Sequence, residues 1–450
     1  MKKLLSLILT LALLLSLTAC GGGNGGNGGG SANSPITSVV HPEFELTNGF
    51  IEPVEQVDKT PEGFIPISTA EEFSKIGLNP AASYILMADI DLAGRDWSLI
   101  SDFSGILEGN GYTVRNASDA IFGTIQGGTV QNLSVHANLV SKGAGIAYVL
   151  TGGGRLFNCV FSGSVDSTVV PGYSTVAGLV FSAENASITS CLNAAELHTL
   201  NTCAGIVASI REAVTVLNCL NTGAVNVDPA SNVCGDGFAA GIVGSFHIGA
   251  SDGGASNITG CRNAAPVSGV IAAGILGETY IAEPVSLYIR LCCNDGNIYA
   301  EASAHRSAAG SGILNVMNIE EGYITVSDCY NTGDYVFSGI EGGECLQRAW
   351  DKRSEELDHV RIERCFSTAW GFNGSISRFC KNLDNCYFLD VMPDIEETAT
   401  GDGALFATVR QLSKDEMRKE SSFAGFDFET GWQMGENHPV FAQRGYLFFR

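Results

Sequence analysis

One phrase recurs along this chain, and its recurrence limits the fold more than any single motif does. It runs Val176-Ala177-Gly178-Leu179-Val180-Phe181, then Ile188-Thr189-Ser190-Cys191-Leu192-Asn193, then Glu196-Leu197-His198-Thr199. It returns as Ala204-Gly205-Ile206-Val207, Val216-Leu217-Asn218-Cys219-Leu220-Asn221 and Val225-Asn226-Val227. Echoes begin at Ala240, Ala273 and Gly310. A period of roughly 30 residues is the mark of stacked repeats. Each repeat holds three short apolar runs separated by turn residues. The expectation is therefore an all-β fold, a right-handed parallel β-helix with three strands per coil, rather than a four-stranded propeller blade.

Composition agrees. The chain has 55 Gly and only 16% charged residues, a recipe for short strands and tight turns rather than helical bundles. Helical patterning is confined to Thr69–Ile76 and Leu412–Glu420, with Ser68 and Ser413 as the expected N-caps. These short helices are assigned to caps over the two ends of the solenoid, which would otherwise expose unpaired strand edges. The repeats are placed at 84–393, the N-terminal cap at 51–83 and the C-terminal cap at 394–450. Eight to ten coils would stack to a rod on the order of 40–50 Å.

Stacking puts equivalent residues of successive coils above one another, so the repeats predict columns. Cys159, Cys191, Cys219, Cys261, Cys292, Cys329, Cys365 and Cys386 share one register. A thiol in a half-buried strand is a small, soft hydrophobe, so these cysteines are expected as mostly free, buried core. Oxidised neighbour pairs are the alternative in an exported protein, more so among the off-register Cys203, Cys234, Cys293, Cys345 and Cys380. Asn193, Asn221, Asn263, Asn294 and Asn331 form a second column. Asn tolerates left-handed backbone angles, bonds its own turn, and can bond a stacked amide.

The phrase resembles the GLUG-motif family of surface proteins, whose Gly-Leu/Ile-Val/Leu-Gly signature is met at Gly241–Gly244 and Gly274–Gly277. The fourth position departs to Phe181, Ala208 and Asn315 in other coils. The entry, Tyr84 to Leu92, Trp97 and Phe103 to Val114, and the exit, Phe426 to Phe428, Trp432 and His438 to Val440, also resemble that family. The likeness spans roughly Phe64 to Phe441.

The N-terminus carries a second resemblance. Lys2 and Lys3 precede the apolar run Leu4–Leu17, which ends in Leu17-Thr18-Ala19-Cys20. This resembles a bacterial lipoprotein signal peptide occupying residues 1–19. That family implies cleavage before Cys20 and acylation of its thiol, hence a lipid anchor on the extracytoplasmic face of the envelope. Residues 20–50, beginning Cys20 and the Gly/Asn run Gly21–Gly30, have too little apolar surface to order themselves and are expected as a tether.

Formal net charge is −23, which argues against nucleic-acid partners and anionic lipid surfaces. No zinc-protease His-Glu-x-x-His is present, although some zinc IgA peptidases carry GLUG-like regions beside their catalytic domain. The seven His lack metal-ligand spacing, and no nucleophile elbow or phosphate loop appears. No metal or cofactor is expected. Paired carboxylates such as Asp89/Asp91, Glu320/Glu321 and Glu355/Glu356 form no acid/base constellation. The polar insertion Cys345–Arg361, with Arg348, Trp350, Lys352 and Arg353, is the candidate binding loop. The expected function is non-enzymatic: a lipid-anchored surface protein presenting the β-helix for adhesion or for binding glycan or protein. The alternative is a carbohydrate-active β-helix enzyme. An acidic groove with exposed aromatics along one face would favour the enzyme, and a uniformly small, polar face the binder.

Overall fold

The structure is a computed structural model, and it describes residues 50–141, 143–170, 174–228, 237–248, 254–303, 308–316, 318–319, 321–338, 347–349, 359–369, 382–389 and 409–442. These residues form stacked, all-parallel sheets, the architecture of a parallel β-helix. The longest sheet has twelve strands, from Phe64–Ile67 to Asn382–Asp384. At about 4.8 Å per strand this body is roughly 50 Å long.

One coil contains five short strands rather than three: Thr175–Ala177, Val180–Ala183, Ala186–Thr189, Leu192–Asn193 and Glu196–Thr199. The first apolar run breaks at Gly178-Leu179 and the second at Ser190-Cys191, while the third, Glu196–Thr199, stays one strand. We call the sheets built from these strands I (Thr175–Ala177), II (Val180–Ala183), III (Ala186–Thr189) and IV (the last two). Sheet III begins earlier than the repeats suggested, because Phe64–Ile67 already pairs with Ser83–Leu86.

Three columns organise the interior. All eight in-register cysteines are free and buried. Each thiol donates to the carbonyl two residues earlier, as in Cys191 Sγ to Thr189 O at 3.2 Å, and most also reach a carbonyl of the preceding coil, as in Cys219 to Ile188 O at 3.6 Å. Burial pushes the Cys159, Cys219, Cys292 and Cys329 thiols up, so these four are held as neutral thiols. Of the off-register cysteines, Cys203 and Cys293 are also free and buried; Cys234, Cys345 and Cys380 lie outside the described residues.

The second column is amides. Asn193 Nδ2 donates to Asn221 Oδ1, Asn221 to Asn263, Asn263 to Asn294 and Asn294 to Asn331, at 2.7–2.8 Å. The remaining Nδ2 proton goes to the carbonyl two residues on, as in Asn193 to Ala195 O at 3.1 Å. Every amide donates in the same direction along the rod, and the chain of bonds ends where Asn331 donates to Tyr335 Oη at 3.2 Å.

The third column explains the glycine of the recurring phrase. A Cβ on Gly205 would fall 2.0 Å from Gly241 O and 2.5 Å from Asn221 Cγ. One on Gly241 would fall 2.3 Å from both Asn263 Cγ and Gly274 O. The turn from sheet I to sheet II thus lies directly on the amide column, and no side chain fits between them.

The left-handed backbone belongs to a different residue from the column asparagines. It falls on the residue preceding each column cysteine, including Asn158, Ser190, Asn218, Leu291, Asp328, Arg364 and Asn385, with φ between 49° and 55°. This single residue turns sheet III into sheet IV. Asn and Asp accept the conformation readily; Leu291 and Arg364 adopt it because both flanking strands are fixed by the ladder.

Both ends are covered. The helix α1, Ala70–Ser74, buries Phe73, which stacks on Trp97 at 5.4 Å. Its N-cap is Thr69 rather than Ser68: Thr69 and Glu72 exchange side-chain and backbone bonds in a capping box, while Ser68 N–H donates to Glu72 at 2.8 Å. At the other end the expected helix over Leu412–Glu420 is absent. Leu412 is the last residue of a strand paired with Cys386–Leu389. Ser413 and Glu416 then close one turn, and a 3₁₀ turn covers Glu420–Ser422. An antiparallel hairpin, Trp432–Met434 with Pro439–Phe441, completes this cap.

The outward side of the first strand of sheet IV is apolar in many coils, and the first and last described segments lie over it. Phe50 and Ile51 cover Val160, Leu192 and Leu220. Trp432, Phe423, Phe426 and Phe441 cover Tyr330, Phe366 and Tyr387. The segment Phe50–Val57 is tied down by side-chain amides: Asn158 exchanges two bonds with the Glu52 backbone at 2.7 and 2.8 Å, and Asn110 two with Val57 at 2.8 and 3.3 Å. Between the two covers Arg262 pairs with Asp295 at 2.6 Å.

Candidate functional site

Sheet III presents its outward side chains in columns, because alternate residues of a strand face the same way. One column runs Arg155, Ser187, Thr215, Asn257, Tyr288, Thr325, Arg361, Asn382; its neighbour runs Phe157, Thr189, Leu217, Thr259, Arg290, Ser327, Glu363, Asp384. In the middle coils these positions hold mostly small, polar residues. From Tyr288 onward they turn aromatic and charged.

That change makes a cleft of about 550 Å³ lined by Tyr323, Ile324, Thr325, His359, Arg361, Asn382, Leu383 and Asp384. Tyr323 is 59% exposed, and its ring lies 5.2 Å from that of His359, tilted by 31°. His359 Nδ1 donates to Gly322 O at 2.6 Å; this fixes the ring and leaves Nε2 as its other polar atom. One coil earlier, the Arg290 guanidinium sits 4.5 Å above the Tyr288 ring, a cation–π contact.

The carboxylates here are tied to arginines. Arg361 Nη2 meets Glu363 at 2.9 Å, and Arg364 meets the other Glu363 oxygen at 3.2 Å. Arg364 also grips Asp328 bidentately at 2.7 and 2.8 Å; the Asp328 hydrogen bond raises the Arg364 pKa. Arg361, by contrast, stays 59% exposed. The arrangement is an open platform with one ring pair, one exposed guanidinium and several hydrogen-bonding groups.

Of the candidate loop, Arg348 lies in the strand Gln347–Ala349, opposite Asn315 in backbone register. Trp350, Lys352 and Arg353 lie outside the described residues, as does Cys20. Asp89 and Asp91 serve local structure. Asp89 accepts from Thr113 N–H at 2.9 Å, and Asp91 accepts from Ala93 N–H and Asn116; the Asn116 bond leads in lowering the Asp91 pKa. Glu320, Glu355 and Glu356 lie outside the described residues. Of the cleft residues, His359 and Arg361 fall at the end of the candidate segment Cys345–Arg361, and the others were not anticipated from the sequence. A signal existed: Thr325, Arg361 and Asn382 stand four residues, and Tyr323 and His359 six residues, before Cys329, Cys365 and Cys386.

The fold places this chain in the class of parallel β-solenoids. No family model matches it, and no curated protein does. Among solved structures, it is similar to one from Bacteroides ovatus provisionally described as an immunoglobulin A1 protease. That match has 16% identity over 87% of this chain and 95% of the other, with a TM-score of 0.29. A second structure, described as IgA1 protease, matches at 14% identity and a TM-score of 0.35 over 74% of this chain. This chain spans 22% of that protein's length. At these scores the likeness carries no argument about activity.

Proposed function

We propose that this protein is a non-enzymatic surface lipoprotein, anchored through Cys20 on the extracytoplasmic face, whose β-helix presents the sheet III cleft for binding a glycan. The observation that carries this reading is the cleft itself, where exposed Tyr323 and Arg361 replace the small residues of the middle coils. Rings that stack on sugar faces, ringed by hydrogen-bonding groups, suit a polyhydroxylated ligand. The glycine column packed on the amide column supports the likeness to GLUG-motif proteins, since the same Gly-Leu/Ile-Val phrase recurs for one physical reason.

The enzymatic alternative draws on Glu363 and Asp384, which stand opposite each other on adjacent strands. Paired carboxylates are the machinery of glycoside hydrolysis. Glu363 is engaged by two arginines, which favours binding over proton transfer. A glycan-array screen on the chain from residue 20 onward, beside a product assay on the same polysaccharides, separates the readings. Binding without cleavage is expected, and lost on Tyr323→Ala. Any cleavage would overturn the non-enzymatic reading. Metabolic labelling with an acyl-chain analogue tests the anchor: label and membrane association should both vanish in Cys20→Ser.

A further inference from the structure

We infer that the ligand of the sheet III cleft is an acidic glycan, bound with a sugar face on Tyr323 and its carboxylate on Arg361; this rests on the binding reading above. The charge pattern carries it. In a chain of net charge −23, the cleft is lined by Arg361 and His359 beside a single carboxylate, Asp384. Arg290 and Arg361 lie on neighbouring outward columns two coils apart, with the coil of Thr325 and Ser327 between them. The nearby carboxylates Asp328 and Glu363 are already held by Arg364, and Glu363 by Arg361 as well.

Arg361 still has donors to offer. A guanidinium has five N–H groups in a planar fork, and one Nη2 meets Glu363 while the head stays 59% exposed. Such a fork matches a carboxylate bidentately. Glu363 holds it from one side, so the open side faces the cleft beside the Tyr323–His359 rings. The ring pair suits the apolar face of a pyranose, and Thr325 and Asn382, both in the Arg361 column, suit its hydroxyls. Asp384 fixes the polarity: it lines the C-terminal side of the cleft and would repel a carboxylate there. The acid group therefore sits toward Arg361 and Arg290.

The test measures binding of hexuronate oligosaccharides and of the same oligosaccharides with every carboxyl reduced to the alcohol, by titration calorimetry. The acid form should bind at least about tenfold more tightly, an advantage that shrinks in high salt. Arg361→Gln should abolish that preference, bringing the affinity for the acid form down to that for the reduced form. Tyr323→Ala should weaken both forms. Equal affinity for acid and reduced forms, both lost in Tyr323→Ala, would overturn the acidic ligand and keep a glycan cleft. No binding of either form, or binding indifferent to Tyr323→Ala, would overturn both. A urea midpoint within error of wild type for each variant confirms that the fold is not what changed.

Discussion

Between Asn193 and Asn331 the interior of the rod is a column of amides resting on a column of glycines. In the coils beyond, the amide positions hold Phe161 at one end and Ser367 and then Phe388 at the other. Gly145 at the N-terminal end packs on the Phe161 ring, where a Cβ would fall 2.3 Å from a ring carbon. The difference follows from what an amide ladder needs. Each interior Asn gives a proton to the next and accepts one from the last, so a terminal member must find another partner: Asn331 donates to Tyr335 Oη and Asn193 Oδ1 accepts from Ala195 N–H. Phenylalanine ends the column by removing the demand. Ser367 bonds its own turn, with Ala369 O and N–H both at 3.3 Å, and asks nothing of a neighbour. The middle coils are thus specified by polar bonds that must all be made, and the ends by apolar packing.

The largest expected effect breaks the middle outright. Gly205→Ala would put a Cβ 2.0 Å from a backbone oxygen and 2.5 Å from the Asn221 amide carbon. Neither can give way without shifting the ladder. The variant should lose at least about 3 kcal/mol in urea unfolding, or fail to accumulate folded. Gly77→Ala is the control, because nothing lies within 4 Å of its Cβ and its cost should stay within about 0.5 kcal/mol. Equal midpoints for the two variants would show that the columns do not pack as described.

Next comes the amide column itself. Asn263→Leu keeps the number of side-chain heavy atoms but leaves Asn221 Nδ2 without its acceptor at 2.8 Å and Asn294 Oδ1 without its donor at 2.7 Å. Two orphaned buried groups should cost about 2–4 kcal/mol. Ser367→Ala, just past the ladder's end, should cost about 1 kcal/mol. If the two variants unfold at the same urea concentration, the ladder contributes nothing beyond each residue's own turn.

These columns differed in how visible they were beforehand. The cysteines could be aligned by eye because they sit at a fixed place after the sheet III strand, whatever loop intervenes. The pairing of Gly178 with Asn193, or Gly241 with Asn263, could not, because the interval between partners varies, 15 residues in the first pair and 22 in the second. The left-handed corner is written as Asn or Asp at Asn158, Asn218, Asp328 and Asn385, but Leu291 and Arg364 hide it. There the ladder overrides local preference. The five-strand coil was unreadable for a similar reason: Gly178-Leu179 sits inside what reads as one apolar run, and only its packing on Asn193 makes it a corner. The cleft is harder still. Tyr323, His359, Arg361, Asn382 and Asp384 come from three successive coils and meet only once register is known; the composition of Cys345–Arg361 points to its end, His359 and Arg361, but not to their partners.

The smallest effect separates the thiol column from the amide column. Unlike the amides, the thiols run uninterrupted from Cys159 to Cys386, and the layer below Cys159 in the same register holds Leu133. The column therefore tolerates a leucine at its N-terminal limit. Cys219→Leu adds volume between Cys191 and Cys261, two thiols with no space to yield, and should cost about 1–3 kcal/mol by overpacking. Cys159→Leu, with Leu133 already below it, should cost less, because that end of the interior is shaped around larger side chains such as Phe161. Both are read as shifts in urea midpoint. A larger loss for Cys159→Leu than for Cys219→Leu would mean that the interior does not change character between end and middle, and that the amide column alone distinguishes them.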